Sequence, residues 1–433
     1  MPTDLESSIH QWVTEHTEEL VQLTKALIRF PSVNRAPYGD EADAQQFVAE
    51  KMRDMNLDVD VFLPTDVPEL ATHPALWHGR DYTNRPNVVG TWHGANSAHP
   101  QANKSLLFSS HIDVVAGSKG GRFAPFEPVC EDGKLYGRGS NDMKGGLAAT
   151  LMAVQCLQEL GVRLNGSVIV ESVVDEEQGG SNGTLASRLR GHNADGCIVA
   201  EPNGMMVSPA HKGGRIWEIT LKGSPGMPFG SDSLVNPVYA IARLIVALED
   251  WEQIRNRVTP PHPLFLDSPT LPVLVTKVIA GDFEPGAGDA VPPSATMEIW
   301  AEEYPGTSEA EHYARLIGYI ETVARETPSV QQCEMTIRPL TRFLPGSEIP
   351  RDHPLVETVR RAYSEMLHCE PHVRGAPFAC DVFVFNQLAN IPCVILGPRG
   401  ANAHSYDEWV MIDDLVALTK IFARIAVDWC GIA

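Results

Sequence analysis

The sequence predicts an α/β protein in two parts: a mixed sheet flanked by helices, and a smaller α+β unit inserted into it. Three observations lead there. Residues 106–115 form a nearly continuous apolar run of strand length, as expected of a central strand buried on both faces. Helical and strand patterns alternate on both sides of that run. Between 213 and 338 the order becomes β-α-β-β-α-β, the ferredoxin-like signature. The expected division is 1–212 for the first part of the sheet domain, 213–338 for the insertion and 339–433 for the second part. A chain of 433 residues is also too long for one ordinary core.

Composition excludes several classes. With 43% apolar and 21% charged residues the chain is globular. Its 55 acidic residues outnumber 34 basic ones, and the resulting net charge of -21 repels nucleic acid and anionic membranes. The opening Met1-Pro2-Thr3-Asp4-Leu5-Glu6 has no basic region and no apolar stretch, so a cytoplasmic location is expected. The eight cysteines contain no Cys-x-x-Cys pair, which favours reduced thiols over disulfides or a thiolate metal site.

Apolar residues at helical spacing (Ile9, Trp12, Val13, Leu20, Leu23, Leu27, Ile28) predict helix over 4–30, ending before Pro31. Helix is expected again over 41–55, followed by a strand over 57–62. Residues 64–86 have no clear period. A strand over 87–92 precedes the central one, which ends in His111-Ile112-Asp113. In extended chain His111 and Asp113 share a face, so Asp113 could accept a hydrogen bond from the His111 ring.

A short strand over 134–136 leads to Gly137-Arg138-Gly139-Ser140-Asn141-Asp142-Met143-Lys144-Gly145-Gly146. Asp142 sits just ahead of an amphipathic helix carrying Leu147, Leu151, Val154 and Leu157. The strand over 166–174 ends in Asp175-Glu176-Glu177, and the strand over 196–200 ends in Glu201-Pro202. Adjacent carboxylates at a buried strand end repel one another unless a cation compensates them. Within the insertion, strands are expected over 214–222, 273–279, 296–301 and 332–338, with helices over 235–254 and 308–325. The sheet domain resumes with a helix over 353–367 and a strand over 393–396. A loop containing Ala403-His404-Ser405 follows, then a closing helix over 412–429.

His111, Asp142, Glu177, Glu201 and His404 supply two imidazoles and three carboxylates, enough for two metals if one carboxylate bridges. Nitrogen and oxygen donors without thiolate suit zinc, with cobalt or manganese as substitutes. In this order, and with such an insertion, the His-Ile-Asp, Gly-Arg-Gly-Ser-Asn-Asp-Met-Lys-Gly-Gly, Asp-Glu-Glu, Glu-Pro and Ala-His-Ser segments resemble a known family. It is the dinuclear zinc deacylases and peptidases, among them acetylornithine deacetylase, succinyl-diaminopimelate desuccinylase, aminoacylase and glutamate carboxypeptidase.

The resemblance implies a zinc-peptidase-like catalytic domain with an inserted lid, two Zn2+, and a homodimer formed through the lid. It implies that Asp142 bridges, that His111 and Glu201 complete one site, and that Glu177 and His404 complete the other. Asp113 would orient His111, Glu176 would be the general base, and the peptide after Asp142 would be cis. The expected substrate is an N-acyl amino acid or related small amide. A dipeptidase or carboxypeptidase is the enzyme alternative, and a metal-bound binding protein or acyl-transfer enzyme is the alternative of another class.

Departures fall on the insertion. The family's lid histidine aligns with Met227 in Gly223-Ser224-Pro225-Gly226-Met227-Pro228-Phe229, with Val235-Asn236 downstream. A thioether donates no hydrogen bond, and loss of one oxyanion donor costs roughly a hundredfold to a thousandfold in turnover. The lid arginine aligns near Trp300. Met227, Trp300, His211 and Asn236 are therefore the substrate-side candidates, with His211 or His192 as a replacement donor and burial in the core as the plain role for Met227 and Trp300.

Overall fold

The computed structural model describes residues 2–95, 103–227, 233–281 and 290–433; Pro228 and Phe229 of the Met227 loop lie outside these. The chain divides into two compact units. The first comprises residues 1–210, 348–376 and 380–433, and the second comprises 211–347 with 377–379.

The first unit is built on a six-stranded mixed sheet. Its spatial order is Cys393–Ile395, Cys197–Val199, Leu106–His111, Val168–Val173, Asn87–Trp92, Asp58–Phe62. The first four of these run parallel, while the last two pair antiparallel. Every residue of Leu106–His111 and of Val168–Val173 is buried, which explains why these strands read as nearly continuous apolar runs.

Helices cover the sheet. Gly145–Glu159 and Ile412–Cys430 pack against each other and against the central strand. Phe108 meets Phe422 with ring centroids 5.2 Å apart. The helix expected over 4–30 is two helices, Pro2–Glu15 and Thr17–Arg29, broken at His16. Helix Asn182–Leu189 carried no readable signal, because it follows the glycine-rich acidic turn and is buried almost throughout. Close approach explains Gly146 and Gly397: a Cβ would come within 2.6 Å of the Ala200 carbonyl oxygen at the first and 2.0 Å of the Glu201 carbonyl oxygen at the second. Both glycines thus let chain press on the end of the Cys197–Val199 strand.

The second unit is a four-stranded antiparallel sheet in the order Val273–Ala280, Ser294–Glu303, Gly213–Lys222, Glu334–Pro339. Helices Pro237–Val258 and Glu309–Glu326 complete a ferredoxin-like βαββαβ order. Its core gathers Trp217, Ile219, Leu221, Leu244, Met297, Ile299 and Leu316. Ser308 and Glu311 form a reciprocal capping box at the start of Glu309–Glu326.

Candidate metal centre

Three neighbouring parallel strands end at the same edge of the first unit's sheet, and each delivers a donor there. Leu106–His111 ends in the imidazole itself. Val168–Val173 runs into Glu176 and Glu177, and Cys197–Val199 into Glu201. Ligand sites in open α/β sheets lie beyond such carboxyl ends. Asp142 comes from a π-turn, Ser140–Lys144, whose backbone leaves helical values at Asp142 and Met143. The Asp142-Met143 peptide is cis. Asp142 therefore does not cap the following helix, which starts at Gly145. His404 arrives from the loop after the fourth parallel strand, in left-handed conformation (φ 61).

The donors form two groups that share one residue: His111 with Asp142 and Glu201, and His404 with Asp142 and Glu177. Asp142 splits its oxygens. Oδ1 lies 3.1 Å from His111 Nε2, and Oδ2 lies 3.3 Å from His404 Nε2. Glu201 Oε1 is 3.4 Å from His111 Nε2, and Glu177 Oε2 is 2.7 Å from His404 Nε2. Glu176 Oε2 stands 4.0 Å from His111 Nε2.

The expected hydrogen bond from His111 to the Asp113 carboxylate is replaced by a shorter one. His111 Nδ1 lies 2.8 Å from the Asp113 backbone carbonyl, whereas the carboxylate oxygen is 3.8 Å away. The ring is oriented all the same, with Nε2 turned to the acids. The Asp113 carboxylate instead accepts the backbone N–H groups of Glu176 (3.0 Å) and Glu177 (3.1 Å) and the Asn34 amide (2.9 Å). It braces the acidic turn.

Asp175 departs from the acidic set. It turns inward with φ 69, accepts the Tyr82 hydroxyl at 2.6 Å, and pairs with Arg80 at 3.5 Å. The aperiodic stretch 64–86 thus supplies the cations and hydroxyl that hold this turn. A second brace, Glu408, accepts the backbone N–H groups of Gly139 (2.9 Å), Asn141 (2.9 Å) and Asp142 (3.0 Å) and pairs with buried Arg138. Glu408 went unread because a lone glutamate beside a tryptophan carries no pattern. Lys144 is buried, donates to the Leu27 and Phe30 carbonyls, and is lowered by burial to about 7.

Electrostatics test whether these residues fit a metal. Burial, and then the Asp142 charge, push Glu201 up to about 7; burial holds Glu176 well above the carboxylate range and raises Glu177. Burial works against His111, yet Glu201 and Asp142 carry it well above an ordinary imidazole, and Glu177 raises His404 to about 11. Asp142, despite burial, is held well below the carboxylate range by both imidazoles. Four carboxylates against two imidazoles leave negative charge uncompensated at a buried strand edge. An N/O donor set with surplus negative charge and a carboxylate facing both ways fits a pair of divalent cations.

The remaining candidates belong to the second unit, apart from His192. Asn236 accepts the Val238 N–H at 2.9 Å and so is the N-cap of helix Pro237–Val258. His211 is fully buried, its Nδ1 2.8 Å from the Lys212 carbonyl and its Nε2 2.9 Å from the Ser347 hydroxyl; burial lowers it to about 4. Both ring nitrogens are occupied, so it is no free donor. Trp300 is half-buried with its ring laid over Gly214, where an added Cβ would meet it at 2.6 Å. Met227 is 37% exposed and so is not a core residue. His192 is bound to Asp60 at 2.8 Å.

Comparison with known proteins extends the picture beyond geometry. The chain is 28% identical over 451 residues to N-formyl-4-amino-5-aminomethyl-2-methylpyrimidine deformylase of Bacillus subtilis (strain 168), covering 98% of this chain and 97% of the other. It is 24% identical to succinyl-diaminopimelate desuccinylase of Pseudoalteromonas translucida (strain TAC 125), covering 94% and 98%. Among solved structures it shares the fold of a di-peptidase from Saccharomyces cerevisiae, with a TM-score of 0.81 at 13% identity over 98% of both chains. Residues 107–428 match peptidase family M20/M25/M40. Because that match begins within the His111 strand and runs through the insertion into the closing helix, the chain belongs to peptidase family M20/M25/M40 and is a metal-dependent hydrolase of amide bonds.

Proposed function

We propose that this hydrolase removes a small acyl group from an N-acyl amine with two divalent ions, zinc in the first place. His111 and Glu201 hold one ion, Glu177 and His404 the other, and Asp142 is shared. The observation that carries the reading is the split of Asp142, one oxygen toward each imidazole. Paired cations supply an acidified water and a polarised carbonyl.

Glu176 takes the proton from the attacking water and returns it to the leaving nitrogen. Burial raises its pKa, the direction that favours a carboxylate able both to take and to return a proton. Asp113 holds the backbone of Glu176 and Glu177 in place, and His111 is held by the Asp113 carbonyl, so base and ligands share one rigid support. The small acyl group is supported by the likeness, along nearly the whole length, to a deformylase. Met227, standing where the family's lid histidine is expected, offers the substrate no imidazole donor.

The proposal also includes action in the cytoplasm, supported by eight free cysteines, and self-association through the second unit. Tyr239, Val246, Ile254 and Val258 leave apolar surface exposed on helix Pro237–Val258, which supports that surface as the contact. No helix among the described residues is long and apolar enough to cross a membrane.

The test is turnover of N-formyl, N-acetyl and N-succinyl amines beside a dipeptide panel, with metal-loaded and chelator-treated protein. Metal-dependent release of the acyl group is expected. Turnover confined to dipeptides would replace the deacylase with a peptidase.

A further inference from the structure

A second set of ligating side chains converges in the first unit, sharing no residue with the centre described above. Helix Pro2–Glu15 carries Glu6 and His10 one turn apart on one face, and helix Pro354–Leu367 is ended by His368 in left-handed conformation (φ 54). One donor atom from each of Glu6, His10 and His368 lies within 4.8 Å of the others. The two imidazoles stack, with centroids 6.3 Å apart and planes 19° from parallel.

The state of His10 points to a ligand. Its Nε2 is buried and has no hydrogen-bond partner. A buried polar atom left unpaired is otherwise an unfavourable arrangement, and an imidazole nitrogen so placed is the atom a metal ion would take.

We propose that Glu6, His10 and His368 form a site for one transition-metal ion, zinc in the first place, with water as the fourth ligand. A tetrahedral zinc with bonds near 2.0 Å sets its donors about 3.3 Å apart. Glu6 is half-buried and His368 exposed, so both side chains are free to turn and close from the present spacing. Both helices pack on the closing helix Ile412–Cys430. The ion would join their ends into a closed clamp around it.

The test is zinc content of the full chain, stripped with chelator, titrated with Zn2+ alone and freed of excess ion by gel filtration. Wild type is compared with His368→Asn and Glu6→Gln. Asparagine tolerates the left-handed backbone at 368, so that variant keeps the helix end. His368→Asn should hold one zinc fewer per chain than wild type while hydrolysing amides at the same rate in saturating zinc. Glu6→Gln should hold that ion more weakly by about tenfold or more. Added zinc should raise the melting temperature of wild type more than that of His368→Asn. Equal zinc content in wild type and His368→Asn, with both folded, would overturn the proposal.

Discussion

The two halves of the candidate metal centre use matching donors but differ in support. His111 is the last residue of a fully buried strand, its side chain 1% exposed and its Nδ1 fixed by the Asp113 carbonyl. His404 sits in a loop with φ 61, and its side chain is 54% exposed. The carboxylates grade the other way: Glu177, beside His404, has its second oxygen held by the Val115 N–H at 3.2 Å. One half is thus fixed through its histidine, the other through its carboxylate. Fixed ligands lose less freedom on binding, so the His111 half should retain its ion longer.

The comparison breaks most completely at the shared residue. Asp142→Ala should abolish both halves, so metal analysis should find both equivalents lost and hydrolysis at background. A variant retaining one tight ion would mean that the halves do not depend on a common bridge. Next in size, Glu176→Gln should lower kcat by about a thousandfold while leaving metal content unchanged, because it removes the proton carrier and no ligand. A loss of metal in parallel would recast Glu176 as a ligand.

The asymmetry itself is sharpened by single ligand loss. His404→Ala should keep one ion and His111→Ala should keep neither firmly. In timed chelation of wild type, one equivalent should leave well before the other, and simultaneous release would erase the distinction drawn here. Glu408→Gln should weaken metal binding by about ten- to a hundredfold through the freed Asp142 backbone. Smallest, Met227→His should change turnover of an N-acetyl amine by less than tenfold, since Met227 is exposed and nothing packed around it among the described residues would orient an imidazole; a gain of a hundredfold would identify the missing donor as rate-limiting.

Much of this was legible in the sequence for a physical reason. Strands buried on both faces, such as 106–111 and 168–173, are mostly apolar, so the histidine that ends the first and the acids that follow the second stand out. The insertion was legible through element order. What was hidden is support. Glu408, Asn34 and Tyr82 act through hydrogen bonds made across long sequence separations, and no periodicity marks them. Asn236 and His211 show why substrate-side residues are harder to read: an N-cap and a buried, doubly bonded imidazole are built from the same residue types as a binding site.

The strand order has a consequence for how the chain is made. Cys197–Val199 pairs on one side with the central strand and on the other with Cys393–Ile395, which emerges from the ribosome nearly two hundred residues later, after the whole insertion. Throughout that interval the nascent sheet carries an unpaired, apolar parallel edge, the kind that recruits other chains. A nascent chain stalled before residue 393 should therefore be protected by chaperone and cut by protease near 197–199, and completion of the last strand should abolish both.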